Sequence, residues 1–525
     1  MRLRAALIGV LVCSVAMAGC TGDDSDQASE QQAQTPTLVE PAEAAAFVPG
    51  ETPTDIAIAT SQAFFAQAPI AVLADDSDSA AQEEAAAFAV ERGVPMLLAP
   101  AAAAAAELSG SSSPAPEPSA TPTGTASPAA ALSEIERLGA TTVVTYGAGA
   151  AAAAESLGDG VASVAGSADT SGEAADLPAT EPADPVESVL ALATDASGLA
   201  APATAQAAGA GLRQVSGPDP RADRDLIAAL AAEQPAHVIA LGSHFGPPEL
   251  LTYRVGVAAT GVELPGGGQV LYPHRRHVAL YGNPTTPALG ALGEQPLSEA
   301  ITRVQRLAAE YQQLADVTVV PTFEIITTVA SSVADDDGNY STESELQDIR
   351  PYIDAAAKAG IYVVLDLQPG RTDFLTQAQR YEEFLRQPHV GLALDPEWRL
   401  GPNQVHLRQI GTVGAAEINS VVTWLADLTR SNNLPQKLLI LHQFKLSMIS
   451  DRQAVDTSRD ELAVLIHVDG QGPTGAKFTT WNTLRADPPA NVWWGWKNFI
   501  DEDPQMLTPT QTMAVDPVPY FISYQ

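Results

Sequence analysis

Eight apolar runs follow one another between positions 277 and 525, and no other feature limits the fold of this chain as tightly. They are HVALYGN (277–283), VTVVPTFEI (317–325), IYVVLDLQ (361–368), VGLALDPEW (390–398), KLLILHQF (437–444), LAVLIHVDG (462–470), VWWGWKNF (492–499) and YFISYQ (520–525). Helical spacing fills several of the gaps, most clearly over 297–314, 343–359, 372–385 and 415–430. Short runs that are apolar throughout, separated by helices, indicate parallel strands covered on both faces. Eight of them in about 250 residues match a closed (β/α)8 barrel of the TIM type. An open doubly wound sheet is the alternative, and the regular spacing favours closure.

The fourth run shows how such a strand would be used. Side chains alternate across a strand with period two. Gly391, Ala393, Asp395 and, by extension, Glu397 then share one face, while Val390, Leu392 and Leu394 take the other. The first set reads as a small-residue interior ending in acids. The second is a bulky face for helices to cover.

Other runs end in the same way. Their C-terminal ends give Tyr281 and Asn283, Glu324, Asp366 and Gln368, His442 and Gln443, His467 and Asp469, Lys497, and Gln525. In such barrels the active site is built at those ends. Converging carboxylates also push one another's pKa values apart, which supplies the acid and the base of hydrolysis. Glu397, Asp395, Asp366 and Asp469 are therefore the expected catalytic residues. Glu324, Gln368, Trp398, His442, His467, Trp494 and Lys497 are expected to bind substrate, with Trp398, Trp481 and Trp494 as sugar-stacking platforms.

Each has a plainer use. Asp395 can bond backbone amides in the turn after its strand, the two histidines can be satisfied core residues, and Lys497 can pair with a rim carboxylate. Asp366, His442, His467 and Asp469 suit a metal by ligand type. No HxxxH or HxH spacing accompanies them, and neither metal nor cofactor is expected.

The first half is built differently, rich in Ala, Gly, Pro and Ser. PIAVLA (69–74), VPMLLAP (94–100), TTVVTYG (141–147) and HVIALG (237–242) read as buried strands, with helical stretches such as Ser79 to Arg92 between them. The pattern predicts a doubly wound parallel α/β domain over 45–250. ALSEIERLGATTVVTYGAGA and LIAALAAEQPAHVIALGSHFG look like two copies of one helix–strand unit, an internal repeat. Segments near 109–130 and 167–185 read as disordered insertions. The barrel is expected over 270–525.

The chain begins MRLRAALIGVLVCSVAMAGC, with a basic start, an apolar stretch and small residues before Cys20. That is the plan of a signal peptide over 1–19, and Met17-Ala18-Gly19-Cys20 resembles a bacterial lipobox. The resemblance implies a lipid on Cys20 and an anchor at the outer face of the cell membrane. Residues 20–44 read as an acidic flexible tether. Cleavage would remove Cys13, the other of the two cysteines, leaving no pair for a disulfide or a thiolate metal site. The formal charge of −36 argues against nucleic acid as a partner.

Residues 45–245 resemble the cell wall-binding repeat 2 family through PIAVLA, the helix over EEAAAFAVERG, the step Gly93-Val94-Pro95-Met96-Leu97-Leu98, and VVTYG. The family's Arg-Tyr start and DALAA element are missing, Asp78-Ser79-Ala80-Ala81 being only a degraded trace of the latter. Asp395-Pro396-Glu397 resembles the D-x-E of family 18 and family 25 glycoside hydrolases. On that resemblance Glu397 is the general acid, and Asp395 orients the substrate or stabilises the intermediate. The first strand ends in Tyr281-Gly282-Asn283, without the acid of family 25, and the longer acidic series of family 18 is missing before Asp395. The barrel half, 270–525, is similar over its whole length to actinobacterial lipoproteins. These resemblances imply a lipid-anchored glycoside hydrolase-like protein acting on cell-wall polysaccharide or peptidoglycan. The alternative is a non-catalytic wall-binding or scaffold lipoprotein with a degenerate barrel.

Overall fold

The computed structural model describes residues 34–100, 128–167, 177–334 and 336–525. The expected signal peptide, Cys20, the first part of the expected tether, most of the expected insertion near 109–130 and residues 168–176 of the one near 167–185 lie outside these residues. Residues 34–44, read above as the end of the tether, are built into the first domain. Thr37–Leu38 pairs antiparallel with Phe65–Gln67, and Gln34 N donates to Ala179 O.

From Arg275 onward the chain closes a barrel of eight parallel strands. They are β1 (Arg275–Gly282), β2 (Thr318–Ala330), β3 (Tyr362–Leu367), β4 (Val390–Leu394), β5 (Lys437–Gln443), β6 (Leu462–Val468), β7 (Trp493–Asn498) and β8 (Phe521–Tyr524). Each pairs with the next, and β8 returns to β1 with His277 beside Phe521. Helices Leu297–Gln312, Leu346–Ala359, Ala415–Ser431 and Thr474–Arg485 follow β1, β2, β4 and β6. The expected helix after β3 is broken into Phe374–Arg380 and Glu382–Leu385. Between β5 and β6 two short 3-10 turns, Leu446–Met448 and Arg452–Ala454, flank the two-residue strand Ile449–Ser450, which pairs with Val413–Gly414.

Strand parity sorts the core. Val390, Leu392 and Leu394 pack outward with Ile418, Val422 and Leu425 of the covering helix. Ala279, Val320, Val364, Ala393, Ile440 and Leu465 fill the lower interior. Each fully buried Val, Leu or Ile side chain in these layers contributes about 1.5–3 kcal/mol. Gly391 is required in the interior, because a Cβ there would stand 2.6 Å from Leu438 O and 2.9 Å from the Tyr362 hydroxyl.

The first domain holds two four-stranded parallel sheets rather than one doubly wound sheet. One runs Met96–Ala99, Ile70–Asp75, Thr142–Tyr146, Ala162–Ala165. The other runs Gly211–Gln214, Val189–Ala193, His237–Leu241, Ala45–Val48. In each sheet the second strand in sequence of its βαβ series lies outside the first, and the third lies on the first strand's other side. Only the fourth place differs: a following strand fills it in one sheet, and Ala45–Val48 from before the series fills it in the other. Thr142–Tyr146 and His237–Leu241, the strands of the two similar segments, hold the same third position. Asp78 caps helix Ser79–Arg92, its carboxylate accepting from Ala80 N and Ala81 N, and Gly93 ends that helix at φ +65°. Both are ordinary helix ends.

Helix Pro248–Ala258 packs its Leu251, Val255 and Ala258 onto the second sheet, so the first domain runs past residue 250. It meets the barrel near the N-terminal ends of the strands. Arg221 and Arg254 each reach Asp460, just before β6, at 2.7 Å. Gln269 O accepts from Gln436 N, just before β5. The C-terminal ends of the strands therefore face away from these contacts.

Candidate active site at the barrel rim

The upper interior of the barrel is polar because inward parity continues past the apolar layers. Tyr281 on β1, Glu324 on β2, Asp366 on β3, His442 on β5, His467 on β6, Lys497 on β7 and Ser523 on β8 are all buried there. Asp395 and Asp469 follow directly on β4 and β6 and are buried as well.

His442 sits at the centre. Its Nδ1 lies 3.1 Å from Asp469 Oδ2 and its Nε2 2.9 Å from Glu324 Oε1. The same Nε2 is 3.8 Å from Asp366 Oδ1. The Tyr281 hydroxyl donates to Asp366 Oδ2 at 2.9 Å, and Gln368 Nε2 donates to the Tyr281 oxygen at 3.4 Å. Lys497 Nζ stands 3.6 Å from the centre of the Tyr281 ring, a cation–π contact. His467 stacks at a tilt beside His442, ring centres 4.9 Å apart, with its Nε2 3.2 Å from Ser523 Oγ. Glu324 Oε2, Asp366 Oδ1, His467 Nδ1 and Asp469 Oδ1 are buried and make no hydrogen bond to the protein. Leaving a buried polar atom unpaired costs about 1–3 kcal/mol.

The acids separate electrostatically. Burial, then the charge of Asp469, pushes the Glu397 carboxyl up to about 7. Burial pushes Asp366 up to about 6, helped by Glu324. Asp395 is held well above the ordinary carboxylate value by burial and by Asp366, Asp469 and Glu397. Burial would raise Asp469 too, but the hydrogen bond with His442 and the charges of His442 and Lys497 hold it below the usual value. Burial would depress His442, yet Glu324, Asp469 and Asp366 outweigh it and hold the imidazole well above its ordinary value. His467 is driven well below, first by burial and then by His442 and Lys497.

Not every expected residue joins this cluster. β4 ends at Leu394 and a 3-10 turn, Pro396–Trp398, follows, so Asp395 and Glu397 do not share a strand face. Asp395 Oδ1 accepts from Glu397 N at 3.3 Å, the turn-capping use. Glu397 is only half-buried, which makes it the most exposed acid of the set. Trp398 stands half-buried on the same turn, edge-on to His406 at 5.3 Å.

Trp494 and Trp481 fall outside the site. Gly495 and Lys497 take the inward places of β7, so Trp494 points outward and meets Trp481 edge-on at 5.9 Å. Trp481 itself is 1 % exposed, packed with Leu484 and Val468 in a satellite core. Lys497 sits over the Tyr281 ring, and no carboxylate oxygen lies within 4 Å of it among the described residues. Asn283 and Gln443 serve the backbone: Asn283 Nδ2 donates to Ile326 O, and Gln443 Nε2 to Lys445 O.

Ser523 was not anticipated as part of the cluster; inward parity on β8, alternating Phe521, Ser523 and Gln525, is the signal that finds it. A groove of about 690 Å3 lies far from this chemistry, in the first domain, lined by Ala86, Val90, Leu199 and Pro202 among others. Comparison with known proteins finds no matching family model and no matching curated protein. The site is read on its geometry alone.

Proposed function

We propose that this chain is a lipid-anchored cell-envelope hydrolase that cleaves a wall or extracellular glycan at the open end of its barrel. The observation that carries the reading is the relation between Glu397 and Asp469. Glu397 is the half-buried acid at the mouth, held near neutrality by burial and by Asp469. Two neighbouring carboxyl groups whose environments push their pKa values apart are the acid and base of glycoside hydrolysis. Protonated Glu397 gives its proton to the glycosidic oxygen as the carbon–oxygen bond breaks. Asp469, with one oxygen tied to His442 and the other unpaired, is the second carboxylate: it takes a proton from the water whose oxygen bonds to the anomeric carbon as the leaving oxygen departs with the proton from Glu397.

Asp366 and Asp395 have lesser parts. The first is bonded to Tyr281 and the second caps the turn that presents Glu397. Trp398 on that turn offers an apolar face for a sugar ring. The lipobox-like start and the resemblance to cell wall-binding repeats support the location. A first domain docked near the opposite end of the barrel would leave the rim accessible to a polymer.

The test is release of new reducing ends from peptidoglycan, arabinogalactan and simple glycosides by the full chain. Hydrolysis lost in Glu397→Gln with unchanged thermal unfolding supports the reading. Saturable binding to wall material with no reducing ends after long incubation contradicts it and leaves a binding protein.

A further inference from the structure

We infer that Glu324, His442 and His467 form a binding site for one divalent cation of the zinc class on the floor of the barrel rim. One donor atom from each lies within 4.8 Å of the other two, and all three side chains are buried. Zinc binds imidazole nitrogen at about 2.0–2.1 Å and carboxylate oxygen at about 2.0–2.2 Å. Two donors on one tetrahedral ion of this kind stand about 3.3–3.5 Å apart, within about half an ångström of the spacings to Glu324 here. His442 Nε2 is 2.9 Å and His467 Nδ1 4.0 Å from the same Glu324 Oε1. Asp366 Oδ1, 3.8 Å from His442 Nε2, is within reach of the fourth position.

The outer contacts point the same way. A metal-bound histidine ordinarily ties its other nitrogen to a carboxylate or another polar group, which fixes the ring. His442 Nδ1 is bonded to Asp469 Oδ2 and His467 Nε2 to Ser523 Oγ. In each ring the remaining nitrogen is the one that faces Glu324. A proton on His442 Nε2 satisfies the contact with Glu324 Oε1. It leaves His467 Nδ1, Glu324 Oε2 and Asp366 Oδ1 unpaired in the interior. A cation held by His442 Nε2, His467 Nδ1 and the Glu324 carboxylate engages the otherwise unpaired His467 nitrogen. The donor set of two imidazoles and a carboxylate suits zinc and its neighbours better than magnesium or calcium, which prefer oxygen.

The ligands come from β2, β5 and β6 and so are far apart in sequence. This is why spacing motifs gave no sign of them, and why no metal was expected above. The inference does not rest on the glycan reading, since it concerns the floor and not Glu397.

The test uses the full chain, purified without chelator and then stripped with EDTA. Zinc titration by calorimetry should show about one ion per chain, and zinc should raise the unfolding temperature of the stripped protein. Cobalt(II) should give visible absorption bands typical of mixed nitrogen and oxygen ligation. His467→Ala and Glu324→Gln should each weaken zinc binding at least tenfold while retaining native circular dichroism. Absence of a one-to-one site for both zinc and cobalt in the wild type overturns the inference. So does unchanged affinity in both variants. If neither variant folds, wild-type stoichiometry together with the cobalt spectrum decides.

Discussion

His442 Nε2 lies 2.9 Å from Glu324 Oε1, a contact that joins the fifth strand to the second through the barrel interior. Both side chains are fully buried, and Asp469 holds the other face of the imidazole at 3.1 Å. The cluster is one network of opposite charges, and its members depend on one another.

Removing the central ring should therefore be costly. His442→Ala leaves Glu324, Asp366 and Asp469 in the interior without the group that offsets their charge. Breaking a buried pair in this way costs about 3–5 kcal/mol. Urea unfolding should show that loss, whereas a change below about 1 kcal/mol would mean the network is solvated in solution.

Glu397 sets a pH dependence. Its carboxyl is pushed from 4.5 to about 7 by burial and Asp469, so the folded chain holds this proton more tightly than the unfolded chain. Its contribution to stability is full below about 4.5 and is lost as pH rises through about 7. Hydrolysis that needs the protonated acid should fall over the same upper range. A rate profile that stays flat from about pH 6 to 8 would exclude Glu397 as the proton donor.

Lys437 gives the opposite slope. Its Nζ donates to Gln387 O and Val390 O from a fully buried position, and burial pushes its pKa down to about 7. The unfolded chain keeps that proton up to the ordinary value of 10.5. Stability should therefore rise with pH between about 7 and 10.5 relative to Lys437→Met. Paired denaturation curves at about pH 7 and 9 check this, and parallel behaviour of the two proteins would refute it.

Gly495 makes room for the site. A Cβ there would stand 2.7 Å from His467 Cδ2 and 3.1 Å from Phe521 O. Gly495→Ala should destabilise by about 1–3 kcal/mol through overpacking, and should shift the His467 ring resonances in an NMR spectrum. An unperturbed His467 signal would show that the ring has space to spare.

Most of the barrel was legible because its strands are continuous apolar runs, and Val390, Leu392 and Leu394 face outward as the alternation of that run requires. The recurrence of polar residues at the C-terminal ends of those runs marked Asp366, His442 and His467, all buried in the barrel. The alternation failed for Glu397, because Pro396 ends the strand and Asp395 caps a turn, so period-two reasoning stops at Leu394. The expected sugar-stacking use of Trp494 ignored that alternation, which gives the inward places of β7 to Gly495 and Lys497. The grouping of Glu324 with His442 and His467 needed barrel closure, which no local spacing encodes. In the first domain, Val189–Ala193 and Ala45–Val48 were hidden among alanines that serve helix and strand alike. One of the two sheets takes its fourth strand, Ala45–Val48, from earlier in the chain, a pairing no local pattern encodes.

The most direct test of the central claim is reducing-end release from purified peptidoglycan and arabinogalactan, with wild type and Glu397→Gln compared side by side at neutral pH. The account predicts release by the wild type, and a fall of at least about 100-fold in the variant at equal thermal stability. Equal release by both proteins, or none by the wild type, would contradict it.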